Sequence, residues 1–102
     1  MRLPTLIFDE IDSGTSGKVA NVIGDLMKKI GFESQIIAIS HLAQVAAKAS
    51  NHYKVYKILS SNKPKTLLRK LNREERIEEI AAMISADNIT NPALDQAIEL
   101  LK

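Results

Sequence analysis

Two adjacent carboxylates follow a short apolar run near the start of this 102-residue sequence. The run is Thr5-Leu-Ile-Phe8, and the acids are Asp9 and Glu10. Such a pair suits phosphoryl transfer to water, because one carboxylate binds Mg²⁺ and the other orients and deprotonates the attacking water. Within a strand, adjacent side chains point to opposite faces, so the two acids need not compete for one position. The alternative is that both are solvated where a strand ends, and the pair alone does not decide.

A histidine stands in the corresponding place after the next apolar run. His41 follows Gln35-Ile-Ile-Ala-Ile-Ser40. At the end of a neighbouring strand, its imidazole could donate a hydrogen bond to a phosphate or to the attacking water. The alternative is a capping or packed side chain. His52, which opens a half-exposed segment, is interpreted as structural.

A strand–helix–strand unit would bring these groups together. Apolar residues recur at helical spacing from Val19 to Ile30, and Gly31 is a stop signal. Two strands joined by such a helix should be parallel, with a right-handed crossover. Both strands are apolar on each face, which favours a sheet covered by helices on both sides. The carboxyl ends of parallel strands share one edge, where ligands of open α/β sheets bind, so the carboxylates and the histidine should meet there.

The second half of the chain has a different pattern. After a short alanine-rich helix expected at His41 to Ala49, the alternation in His52–Lys57 predicts a half-exposed strand. Ser60–Pro64 is predicted to be a turn, and Thr66–Leu71 the partner strand. Together with the first two strands, this hairpin would make a narrow sheet.

Two amphipathic helices are predicted at the end of the chain. Asn72 is the candidate cap of the first, and Thr90-Asn91-Pro92 opens the second. The predicted fold class is therefore α/β, with a short parallel βαβ sheet, an edge hairpin and C-terminal helices.

The composition excludes several classes of protein. The absence of cysteine excludes a disulfide framework and thiolate metal sites. No apolar stretch reaches the roughly 18 residues of a membrane helix, and no secretory signal pattern opens the chain. We therefore expect a cytoplasmic protein without membrane contact.

The charge distribution leaves a second hypothesis open. The net charge is only +2, but no acid lies between Glu33 and Glu74, whereas eight cations do. A free-standing nucleic-acid-binding module that uses residues 48–73 is therefore the alternative, although only Tyr53 and Tyr56 offer stacking surfaces there. A third possibility is a partner-binding domain in which the acids and the histidine are incidental.

The combined pattern resembles the heads of ABC-type ATPases. Thr5-Leu-Ile-Phe-Asp-Glu-Ile-Asp12 looks like a Walker B segment, and Ile39-Ser-His-Leu42 like a switch-histidine segment. More specifically, Phe8 to Gly17, Ile39 to Ala46 and Arg73-Glu-Glu-Arg-Ile-Glu-Glu-Ile-Ala-Ala-Met-Ile84 resemble the RecN family of bacterial DNA repair ATPases.

The resemblance implies a role for each site residue. Asp9 would coordinate Mg²⁺, Glu10 would be the catalytic base, and His41 would sense the γ-phosphate of ATP. A D-loop across the dimer interface would follow, with Ser16 where many relatives have aspartate. Its residues are Ser13, Gly14, Thr15 and Ser16.

The remaining motifs of the family are missing from this sequence. Gly14 to Val19 is not a phosphate-binding loop, because G-x-x-x-x-G-K-[ST] would need glycine and a hydroxyl where Asp12 and Val19 stand. The resemblance thus implies that residues 1–102 are the C-terminal part of a partial ABC-type P-loop NTPase head. ATP and Mg²⁺ would bind only in the complete head, which includes the N-terminal part of the same head. The implied partners of the full-length protein are a second copy, which forms a homodimer around ATP, and DNA. The expected location is the cytoplasm, in association with the nucleoid, and the isolated chain is expected to be inactive.

Overall fold

The computed structural model of the protein describes residues 4–10, 17–86 and 88–102, and its first half is a strand–helix–strand unit. Strand β1 (Leu6–Asp9) leads through helix α1 (Gly17–Ile30) to strand β2 (Ile36–Ile39). The strands pair in parallel, from Leu6 opposite Ile36 to Asp9 opposite Ile39. The predicted βαβ unit is confirmed, although both strands are shorter than their apolar runs.

A short helix and a hairpin follow. Helix α2 (Ala43–Ala46) precedes strands β3 (Tyr53–Ser60) and β4 (Lys63–Lys70), which pair antiparallel. Ser61 and Asn62 form the turn with φ of 51° and 64°, as tight hairpin turns require. The predicted turn was therefore too long, because Ser60, Lys63 and Pro64 all belong to the ladder. The hairpin itself is confirmed, but within the described residues it forms a separate two-stranded sheet and does not extend the parallel pair.

The two C-terminal helices begin where they were predicted to, the first at its candidate cap Asn72 and the second within Thr90-Asn91-Pro92. Helix α3 (Arg73–Ser85) opens with a capping box: the Asn72 side chain accepts from the Glu75 amide at 2.9 Å, and the Glu75 carboxylate accepts from the Asn72 amide at 3.1 Å. In helix α4 (Asn91–Leu100), the Thr90 hydroxyl accepts from the Ala93 amide at 3.2 Å.

The core lies among the helices of the second half. Its buried members are mostly alanines, which let helices approach closely, and they surround the fully buried Ile80. They come from α2 with its C-cap, from α3 and from α4: Ala43, Ala47, Ile80, Ala81, Ala93 and Ala97. Gly24 of α1 permits a similar approach to α2, since a Cβ there would lie 3.2 Å from the Gln44 carbonyl oxygen.

The parallel strands differ from the core in their exposure. We expected them to be covered on both faces, but Ile7 is 67% exposed, Ile37 46% and Ile39 54%. The described elements therefore supply no second covering layer, which an apolar parallel strand needs. Across the described ranges, no helix combines the length and hydropathy needed to cross a bilayer.

Candidate active site at the carboxyl ends of β1 and β2

The ends of β1 and β2 lie side by side. Asp9, the last residue of β1, is paired with Ile39, the last residue of β2, and the Glu10 amide donates to the Ile39 carbonyl at 2.8 Å. His41 lies two residues beyond Ile39. The three predicted site residues thus leave the sheet at the same edge, as the sequence predicted, and all three are exposed.

Glu10 has an unusual backbone conformation. Its φ is 54°, in the left-handed region that residues other than glycine rarely adopt. Because β1 ends at Asp9, the alternation of side chains along a strand does not extend to Glu10, and that alternation does not determine the direction of its carboxylate. Strained backbone of this kind is concentrated at functional sites.

The segment that carries His41 is held on both sides. Before it, β2 ends at Ile39; after it, the Leu42 amide donates to the Ser40 hydroxyl at 3.1 Å. Helix α2 then begins at Ala43 and buries Ala43 and Val45. An exposed imidazole on a fixed segment is suited to donating a hydrogen bond to a ligand at the sheet edge.

The donor set at this edge fits one kind of metal ion. Among the described residues, no group of three or more His, Cys, Asp or Glu side chains could hold a metal. Mg²⁺, however, keeps several waters and takes only one or two carboxylates together with phosphate oxygens, so the exposed carboxylate of Asp9 fits that role. The predicted D-loop residues Ser13, Gly14, Thr15 and Ser16 lie outside the described residues.

A second polar region, which the sequence reasoning missed, is a cationic cavity between the helices and the hairpin. It encloses about 220 Å³ and is lined by residues without a carboxylate: Ser50, Asn51, His52, Lys70, Leu71, Asn72, Arg73, Arg76 and Leu101. Burial lowers the pKa of His52, and the positive charges of Arg76 and Lys54 lower it further. The negative charge of Glu79 acts in the opposite direction without reversing the shift. The sequence does contain one sign of this cavity. Arg76 lies four residues before Ile80, and a charged residue at that spacing lies on the same face of α3 as the buried Ile80.

The basic segment is partly neutralised by acids from outside it. Lys48 pairs with Asp25 at 2.9 Å, Lys54 with Glu79 at 2.7 Å, and Arg69 with Glu75 at 2.6 Å. In the part of the chain that the structure describes, the remaining cations of the hairpin have no ion pair: Lys57, Lys63, Lys65 and Lys70. The continuous run in the sequence is thus a smaller cluster of free lysines in the fold.

Comparisons with known proteins agree with the resemblance in the sequence. No protein-family model matches the chain. It is 46% identical over 98 residues to the DNA repair protein RecN of Rickettsia conorii, which covers 96% of this chain and 18% of that protein. It is 38% identical to RecN of Haemophilus influenzae over 97% of this chain, and 39% identical to RecN of Deinococcus radiodurans over 96%.

A solved structure supports the fold. It concerns SMC ATPases, described by their ATP-driven dimerization and DNA-stimulated activation, and it matches with a TM-score of 0.56 and 25% identity over 72% of this chain and 43% of that one. The chain spans 18% of the length of the first RecN relative. Over almost its whole length, this chain is homologous to a segment of the RecN DNA repair proteins, and it shares its α/β fold with the SMC ATPases.

Proposed function

We propose that this chain is the C-terminal part of the ATPase head of a RecN-like protein that hydrolyses ATP during the repair of DNA double-strand breaks. The observation that carries the proposal is the parallel pairing of β1 with β2. Because of this pairing, Asp9, Glu10 and the segment with His41 all follow the sheet at the same edge. The similarity to RecN and to an SMC ATPase supports the same conclusion.

Each residue at the edge has a distinct chemical task in this proposal. Asp9 holds Mg²⁺, which supplies charge neutralisation on the β- and γ-phosphates when bound. Glu10 accepts a proton from the attacking water, and His41 donates a hydrogen bond to the γ-phosphate oxygen on which charge develops. By the resemblance to the family, Ser13 to Ser16 would correspond to the D-loop.

The other partners follow from the same family. The N-terminal part of the same head would supply the phosphate-binding loop, and a second copy would close over the nucleotide. Exposed apolar side chains on β1, β2 and α1, such as Ile7, Ile37, Val22 and Leu26, support burial against further parts of the head. The assembly would act on DNA in the cytoplasm, associated with the nucleoid.

The test is ATP turnover by the full-length protein with Glu10→Gln. Because glutamine cannot accept the proton, we expect ATP binding to be kept while hydrolysis slows on the order of a hundredfold or more. Glu33→Gln, at an exposed glutamate in the turn after α1, is the matched control and should hydrolyse ATP normally. Normal turnover in Glu10→Gln would show that Glu10 is not the base.

The isolated chain should neither bind nor hydrolyse ATP, because the phosphate-binding and signature motifs are not in its sequence. Calorimetric titration of the 102 residues with Mg²⁺–ATP should give no measurable heat of binding. Micromolar affinity would contradict this.

A nucleic-acid-binding module remains the second candidate, favoured by the unpaired lysines of the hairpin. Exchanging Lys63 and Lys65 together for glutamine should then weaken DNA binding and flatten its dependence on salt by about one phosphate contact per lysine. The same exchange at Lys28 and Lys29, at the end of α1, is the control. Equal DNA affinity and salt dependence in both double variants would exclude the hairpin as a DNA-binding surface.

A further inference from the structure

The guanidinium of Arg76 binds the end of the helix that follows His41. Its Nη2 donates to the carbonyl oxygens of Ala46 at 3.0 Å and Ala47 at 3.3 Å, and also to that of Ala49. Helix α2 has only four residues, and the carbonyl of Ala46 accepts a long bond of 3.3 Å from the Ala49 amide. The guanidinium adds a second donor at this end of the helix, where few helical bonds are made. A cation is the favoured partner at this negative end of a helix.

No carboxylate compensates Arg76 in the described ranges, where its recorded contacts are carbonyl oxygens. The side chain is half-buried, and burial together with the nearby charge of Arg73 lowers its pKa. The fold therefore keeps a partly desolvated guanidinium in place to hold three backbone carbonyls. The contacts of Arg76 therefore fix the backbone at the end of α2, which an exposed ion pair would not do.

The held segment is continuous with His41. Its first turn is fixed by the bond from the Leu42 amide to the Ser40 hydroxyl, and its sides by Ala43 and Ala47 in the core. On α3, Ile80 lies one turn after Arg76 and packs in that same core. Apolar packing and the guanidinium thus act together to fix α2 against α3.

We propose that Arg76 is a positioning residue for His41: by fixing the C-terminal end of α2, it sets the direction from which the imidazole meets the γ-phosphate. This inference rests on the proposed ATPase function. It assigns a role in turnover to α3, which contributes no residue to the edge of the parallel strands. Loss of the guanidinium should leave nucleotide binding intact and misplace His41.

The test compares steady-state ATP hydrolysis by full-length variants. Arg76→Gln should lower kcat about tenfold with KM within about twofold of wild type, as expected for an interaction used in the transition state. Arg76→Lys keeps the charge, but its ammonium lies one bond closer to the backbone than Nη2, which makes all three contacts, so its kcat should be intermediate. Arg73→Gln, one turn earlier on α3 and exposed, is the matched control and should keep wild-type kcat and KM.

A double variant separates positioning from simple destabilisation. Arg76→Gln combined with His41→Gln should be no slower than His41→Gln alone, because both changes remove the same imidazole contact. The inference would be overturned if the double variant lowered kcat by the product of the two single effects. A wild-type kcat in a folded Arg76→Gln variant would also overturn it. Should Arg76→Gln fail to fold, Arg76→Lys decides: a kcat below that of wild type with KM unchanged supports the inference, and a wild-type kcat overturns it. Wild-type kcat in His41→Gln would instead contradict the proposed function of the site.

Discussion

The Glu10 amide donates a hydrogen bond of 2.8 Å to the Ile39 carbonyl, so the chain leaving β1 is tied to the last residue of β2. This bond is made while Glu10 is in the left-handed region, with φ of 54°. The residue proposed as catalytic base is therefore held, at some conformational cost, next to the segment that leads to His41. A residue chosen for stability alone would be glycine at this position.

The first prediction concerns that conformational cost. Glu10→Gly should raise the free energy of unfolding by about 1 kcal/mol, because glycine adopts positive φ without a Cβ clash, while ATP turnover is lost. Chemical denaturation and ATPase assays on the same preparations would check both effects. Glu10→Gln, which keeps the strain, should not gain stability. A destabilised Glu10→Gly variant would contradict the conformation reported for Glu10.

The second prediction separates the two histidines. In the full-length protein, His41→Gln should slow ATP turnover at least about tenfold with little change in melting temperature, because His41 is exposed and acts on the transition state. His52→Gln should lower the melting temperature and keep turnover, because His52 is half-buried and lines the cationic cavity instead of following β1 or β2. The opposite assignment of the two effects would refute the proposed roles.

The third prediction concerns the start of α3. Asn72→Ala removes the acceptor for the Glu75 amide and should destabilise the protein by about 1 kcal/mol. Asn51→Ala, at an exposed asparagine in the preceding loop, is the control and should change the stability by less than about half of that. Equal effects in urea denaturation would show that the capping box does not stabilise α3.

The fourth prediction concerns pH. Burial lowers the pKa of His52 in the folded protein below the ordinary histidine value of 6.5, so the folded state binds fewer protons than the unfolded state between these two pKa values. The stabilisation from neutral His52 is therefore complete above pH 6.5 and is lost as the pH falls from there toward the folded pKa. Melting temperatures from pH 7.5 to 5 should fall more steeply in wild type than in His52→Gln. Parallel curves would mean that His52 does not contribute to the pH dependence.

The sequence predicted those parts of the fold that depend on local signals. The helix α1, the Asn72 cap, the start of α4 at Thr90-Asn91-Pro92 and the parallel pairing of β1 with β2 are all confirmed. The position of Asp9, Glu10 and the His41 segment at one edge was predictable because the carboxyl ends of neighbouring parallel strands lie at the same edge of the sheet.

The remaining features depend on contacts between distant parts of the chain. Arg76 reaches the Ala46 carbonyl at the end of α2 across 30 positions, and no local pattern marks that contact. The pairing of Lys54 with Glu79 likewise joins residues far apart in the sequence, and the pairing of Arg69 with Glu75 spans the connection from β4 to α3. The conformation of Glu10 was also not predictable, because strand alternation ended one residue earlier than the sequence suggested.

A structure of the complete head of the full-length Glu10→Gln variant with ATP and Mg²⁺ would show directly whether the nucleotide binds at the carboxyl ends of β1 and β2. We expect the γ-phosphate at the carboxyl ends of β1 and β2, with Mg²⁺ reached by Asp9 directly or through one water and the His41 imidazole within hydrogen-bonding distance of a γ-phosphate oxygen. A nucleotide bound elsewhere, with Asp9 and His41 facing solvent, would contradict the account.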